Sequence, residues 1–179
     1  MAELVEEIKS REASGYAYEG ADASFELLAR RLLGEVPQYF AVDSFRVMVE
    51  KRRSGVGHLD TLSEATVKVH IPGVASADAQ QHWSVAEGNG PVNALDAALR
   101  KDLGRYQQYI DTLELVDYRV RILTGGTEAV TRVLVESRDT ATGARWTTVG
   151  VSPNIVDASF EALLDSINFK LFRDGATVG

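Results

Sequence analysis

The stretch Glu87-Gly88-Asn89-Gly90-Pro91-Val92-Asn93-Ala94-Leu95 limits the possible folds most. It runs a glycine turn straight into a helix and returns in degenerate form near the C-terminus. Laying Trp83 to Leu99 over Trp146 to Leu163, with one extra residue in the later stretch, puts Val92, Ala94, Ala98 and Leu99 on Val156, Ala158, Ala162 and Leu163. Asn154-Ile155 then stands in place of Gly90-Pro91. Each tryptophan is preceded by a pair of β-rich runs: Phe45 to Lys51 and Ala65 to Ile71, then Leu115 to Leu123 and Ala129 to Ser137. The pattern predicts an α+β fold in which one βββα unit is used twice. Gly88 and Gly90 can take positive φ and admit a ligand or backbone closely, Asn89 or Gly90 can cap, and Pro91 suits the first helical position. On that reading a β-branched residue at Gly90 forbids the positive φ and abolishes ligand binding. The free amides of such a helix start favour a carboxylate or a phosphate.

Residues 1–38 read as a helical subdomain preceding a duplicated domain over 39–179, with repeat 1 at about 39–105 and repeat 2 at about 112–175. The segment Ala2 to Lys9 is helical in character, Gly15 to Gly20 interrupts it, and Ala21, Phe25, Leu28 and Leu32 follow at helical spacing until Gly34 and Pro37. Residues 54–64 and 73–80 read as polar connections between strands. In the second repeat Val116, Tyr118, Val120 and Ile122 alternate with Asp117, Arg119 and Arg121, as in a sheet with one buried face. The last helix opens with Asn154 and Asp157 at capping-box spacing and carries Lys170 and Arg173 in its final turn.

A chain of 179 residues with 45% hydrophobic content can bury a substantial core. Its formal charge of −7 argues against a nucleic-acid partner, which requires a basic face, and the basic run Lys51-Arg52-Arg53 suits a solvated strand end. Cysteine is absent, which removes disulfides, thiol catalysis and thiolate metal sites. No apolar run reaches membrane-spanning length, so no membrane association and a cytoplasmic location are expected. His58, His70 and His82 lack metal-ligand spacing, and Ser24, Ser84 and Ser152 lack a nucleophile-elbow context. Gly125-Gly126 suits a hairpin turn, and Asp157, Glu161 and Asp165 could ligate a cation but suit a solvated helix face better. No catalytic residue, metal ligand or cofactor is therefore expected in this chain.

Gly88-Asn89-Gly90-Pro91-Val92-Asn93-Ala94, Val116-Asp117-Tyr118 and Val149-Gly150-Val151-Ser152-Pro153-Asn154-Ile155-Val156-Asp157-Ala158-Ser159 together resemble the C-terminal regulatory domain of 2-isopropylmalate and citramalate synthases. The match runs from about Tyr39 to Arg173, and Tyr18 to Leu28 is similar to the linker subdomain of the citramalate-synthase-like branch. The resemblance implies a parent enzyme that condenses an acyl-CoA with a 2-oxo acid in a metal-dependent barrel. It implies that this chain is the regulatory piece, without turnover of its own, and that the divalent metal belongs to the barrel. It further implies a homodimer whose effector is an end-product branched-chain amino acid, isoleucine ahead of leucine. Carried onto matching positions, the polar end of the effector would meet Gly88, Asn89, Gly90 and Ala94, with main chain at Pro153 and Ile155. Leu115, Tyr118, Ile122, Thr131 and Val133 would shape the side-chain pocket. Two other readings stay open: a dimerisation scaffold without effector binding, and an unrelated small enzyme that uses the glycine turn for a phosphorylated substrate.

Overall fold

The computed structural model describes residues 2–53, 55–72, 81–126 and 129–178. Helices α1 (Ala2–Ala13) and α2 (Asp22–Leu32) come first. Strands β1 (Ala41–Arg53), β2 (Leu59–His70) and β3 (Gln81–Gly88) follow, then helix α3 (Pro91–Lys101) and a short helical connection ending in α4 (Gln107–Ile110). The pattern repeats as β4 (Leu113–Ile122), β5 (Thr131–Asp139), β6 (Arg145–Ser152) and α5 (Ile155–Arg173). Each strand triplet is an antiparallel meander in sequence order, which confirms the duplicated βββα plan. Both first strands bulge near their start, between Val42 and Ser44 and between Leu115 and Asp117, a shared irregularity that composition does not reveal. The connection expected over 54–64 is shorter, because Leu59 to Glu64 pair with β1 and lengthen the hairpin. The other expected connection, 73–80, lies outside the described residues.

The chain forms two compact units: Met1–Pro37 with Thr112–Ala176, and Gln38–Asp111 with Thr177–Gly179. In the latter, Ser63, Ala65, Val67 and Val69 alternate along β2 and are buried under α3. The helix answers with Ala94, Leu95, Ala98 and Leu99, and each of the larger side chains contributes about 1.5–3 kcal/mol on burial. Pro91 stands in the first turn of α3, and the helix ends at Lys101 because Asp102 turns extended. Tyr39 and Tyr106 meet edge to face with ring centres 5.6 Å apart and close this unit's core.

In the other unit Thr131, Val133, Val135, Ser137 and Asp139 of β5 are buried against α5, which presents Ala158, Ala162, Leu163 and Ile167. Trp146 is buried here, donating its indole N–H to the Ser166 hydroxyl at 3.1 Å and lying 5.6 Å from the Phe169 ring. Trp83 does the reverse, with 63% of its surface exposed. The repeats explain why. Strands β3 and β6 have equal length, and each is separated from its helix by the same two-residue turn, Asn89-Gly90 or Pro153-Asn154. The helix equivalences therefore hold, but no extra residue is needed, and Trp83 corresponds to Thr147. Pairing tryptophan with tryptophan slips the strand by one residue, which sends a side chain to the opposite face.

The N-terminal segment seals the free edge of β6. The amides of Thr147, Val149 and Val151 donate to Asp22 Oδ1, Ser24 Oγ and Glu161 Oε2, each at 3.0 Å. Ser24 in turn donates to Asp165 at 2.8 Å, Arg31 reaches Asp165 at 2.9 Å, and the Tyr16 hydroxyl donates to Glu161. Glu161 and Asp165 are thus anchors for this segment and not a solvated face, whereas Asp157 of the same helix is exposed. The buried face of α2 consists of Ala23, Ser24, Leu27 and Leu28, whereas Phe25 and Leu32 lie largely exposed, so the stripe expected at Ala21, Phe25, Leu28 and Leu32 is rotated. The cause is that Ser24, a polar residue absent from any apolar stripe, turns inward to cap the strand edge. Among the described residues no helix is long and apolar enough to cross a membrane.

Candidate functional site

The two turns that open α3 and α5 are built differently. At α3, Gly90 is the N-cap residue with φ −166° and ψ 170°, an extended conformation open to any residue, and no side chain caps the helix. Neither Gly88 nor Gly90 has a positive φ, which corrects the expectation that left-handed backbone explains them. A Cβ on Gly88 would sit 2.5 Å from the Ala94 amide nitrogen and 2.6 Å from Asn93 Oδ1, while one on Gly90 would meet nothing within 4 Å. Gly88 is therefore a close-approach glycine, and a β-branched residue at Gly90 meets no backbone obstacle. The Asn89 amide donates to Asn93 Oδ1 at 3.2 Å, and the Ala94 amide donates to the Gly90 carbonyl at 3.0 Å. Ala94 itself is fully buried and Asn89 is exposed.

At α5 the Asn154 side chain caps the helix by accepting from the Val156 amide at 2.9 Å. The Tyr118 hydroxyl lies 2.8 Å from Ser159 Oγ, which donates to the Ile155 carbonyl at 2.6 Å. Tyr118 and Ile155, both named from the sequence, are thereby linked through Ser159, a residue whose part in the site only the fold reveals. Register sets Tyr118 opposite Val135, Val120 opposite Val133 and Ile122 opposite Thr131, so all of them face the α5 side of the sheet. Val133 and Thr131 are buried there, and Leu115, further down β4, is half-buried. The strand ends beside the helix start stay open: Val120 is 41% exposed, Ile122 67% and Ile155 45%. Pro153 is exposed in the turn. This end of the unit is a hydroxyl-edged apolar surface next to a helix start, with part of its wall unfilled.

Elsewhere several charged groups are bound into structure. His82 Nδ1 lies 3.0 Å from Asp102; burial raises the Asp102 carboxyl, but the His82 and Gly104 N–H contacts outweigh it and hold it below its usual range. Burial and the adjoining Glu161 push the Tyr16 hydroxyl far above its ordinary value, so it stays a donor. Lys170, in the last turn of α5 as expected, is buried, 3.0 Å from the buried Asp139 and also paired with Asp174. No nucleophile, base and orienting group come together among the described residues.

Two corresponding helices, each opened by a two-residue turn after a three-stranded meander, place the chain in the class of α+β domains built from a duplicated βββα unit. The chain belongs to the LeuA allosteric (dimerisation) domain family, whose pattern matches residues 19–171. It is 50% identical over 96% of its length to an (R)-citramalate synthase of Geobacter sulfurreducens and 45% identical over 97% to one of Aquifex aeolicus. A 2-isopropylmalate synthase of Cupriavidus pinatubonensis is 31% identical over 93% of the chain. The chain spans 31% of the length of the first two relatives and 30% of the third.

Proposed function

We propose that this domain binds an end-product branched-chain amino acid, isoleucine ahead of leucine, and feeds that signal back onto an acyl-CoA/2-oxo acid condensing enzyme. The parent is a citramalate synthase on this reading, with a 2-isopropylmalate synthase next, in keeping with the higher identity to relatives of the first name. Catalysis and its divalent metal belong to the parent's barrel, and the domain works as a homodimer.

The observation that carries this reading is the open apolar surface at the start of α5, where Val120, Ile122 and Ile155 are exposed and Tyr118 shares its strand face with Val120 and Ile122 while bonding to Ser159. A zwitterion with an aliphatic side chain needs its charges met by helix-start dipoles and its hydrocarbon met by such a wall. The start of α3, with no side-chain cap, leaves first-turn amides for an anion, as the polar-end role of Gly88, Asn89 and Gly90 requires.

Thermal unfolding with isoleucine, leucine, valine or no ligand tests the proposal. A ligand at 100 times its dissociation constant adds about 2.7 kcal/mol, which raises the midpoint of a domain this size by roughly 5–10 °C. A shift with isoleucine alone supports the citramalate-synthase reading, and one with leucine alone supports the other parent. The exposed Trp83 and Val85 favour, as second reading, a dimerisation scaffold indifferent to every amino acid; no shift with any of the three supports it and overturns the sensor.

A further inference from the structure

The sheet of the second repeat has an outer face, away from α5, on which register sets Arg121 of β4 directly opposite Arg132 of β5. Arg119 lies two residues earlier on the same face, opposite Leu134. Directly opposed residues in an antiparallel pair have Cβ atoms about 4.5–5.5 Å apart, and like charges there are destabilising. The same sheet shows how such a cost is met elsewhere. Arg138 stands opposite Arg145, and each has a carboxylate: Glu114 at 2.6 Å from Arg138 and Glu136 at 3.0 Å from Arg145.

Among the described residues, no carboxylate lies within ion-pair distance of Arg121 or Arg132. Arg132 donates from Nε to the Gly15 carbonyl at 2.6 Å, which fixes its guanidinium without neutralising it. Burial and the nearby Arg121 charge both act against its protonated form. Arg119 is held by Asp117 at 3.0 Å. All three arginines line a cleft of about 370 Å³ together with Ala17, Val120 and Leu134, and Glu19 is the acid in that lining.

We propose that this cleft is a binding site for a small polyanion, one whose carboxylate or phosphate oxygens are shared between Arg121 and Arg132, with Arg119 alongside. Guanidinium forks donate to such oxygens two at a time, and an anion between them converts a repulsive cross-strand pair into a bridged one. The volume lies at the small end of the range for small-molecule pockets, which suits a compact anion flanked by the apolar Ala17 and Leu134. On a chain of net charge −7 the site is a local positive field, and Glu19 competes with the ligand for it.

The test is calorimetric titration of the 179-residue chain with citrate and with pyrophosphate at an ionic strength fixed by sodium chloride. Saturable binding of either is expected, weakened at least about tenfold by Arg121→Gln and tightened by Glu19→Gln, with circular dichroism unchanged in both variants. Preference for citrate marks a carboxylate ligand, and preference for pyrophosphate marks a phosphate ligand. Without citrate or pyrophosphate, in chloride alone, Arg121→Gln is expected to raise the unfolding midpoint, since it removes the repulsion. Absence of saturable binding, equal binding by Arg121→Gln, or a lower midpoint for that variant in chloride alone overturns the site.

Discussion

A methyl group on Gly88 would intrude on the Ala94 amide at 2.5 Å, whereas one on Gly90 would enter open space. Residues two apart in one turn therefore have unlike tolerances. Gly88→Ala is expected to destabilise the domain by about 1–3 kcal/mol through overpacking, and Gly90→Ala by less than about 0.5 kcal/mol. Urea midpoints of the two variants check this; equal losses would show that the turn as a whole, and not contact with α3, demands glycine. The sequence located this turn and its helix because glycine, asparagine and proline have strong positional preferences. It misassigned the reason, because a glycine chosen for positive φ and one chosen for close approach look alike until the neighbouring backbone is placed. Ser159 was hidden for a similar reason. Its hydroxyl matters only because β4 brings Tyr118 to within 2.8 Å of it.

At the scale of elements, the end of β5 is pinned to the end of α5 by a buried ion cluster. Asp139 accepts from Lys170 at 3.0 Å, Arg173 at 3.2 Å, Thr142 at 2.8 Å and the Ala141 amide at 3.0 Å. Burial raises the Asp139 carboxyl, but the Thr142 hydroxyl and the Lys170 ammonium outweigh it and hold the group well below the usual carboxylate range. A carboxyl depressed in the folded state contributes stability that is full above the unfolded value of about 3.9 and is lost as pH falls below it. Asp139→Asn is accordingly expected to cost about 3 kcal/mol at pH 7, with a smaller deficit at pH 3. Urea unfolding at both pH values measures it, and a deficit that grows in acid would refute the assignment. Alternation and helical spacing made the strands, the helices and their duplication legible. They could not show which face a strand turns inward, so Trp83 was matched to Trp146. Pairing register decides it, and register is set by contacts distant in sequence.

On the scale of the whole molecule, large apolar side chains remain exposed, with Trp83, Met48 and Val49 in one unit and Ile122, Ile155 and Val120 in the other. Isolated exposed apolar residues are ordinary, but Val120 and Ile122 share one face of β4 beside the start of α5 at Ile155, and grouped exposure of this kind marks a surface meant to be covered. Sedimentation is expected to find a particle of roughly twice the 19.5 kDa chain mass. A monomer at every concentration would count against the dimer. Association of this kind leaves no trace in the hydrophobic pattern beyond exposure, and so it could be anticipated from the sequence only through kinship. The covering of β6 has a bearing on how such assemblies stay orderly. Three outward amides of one strand, at Thr147, Val149 and Val151, are occupied by side-chain oxygens, two of which come from α2. An uncovered strand edge recruits strands from any neighbour. The N-terminal segment thus acts as a built-in stopper on this edge, denying it to the strand of a second copy.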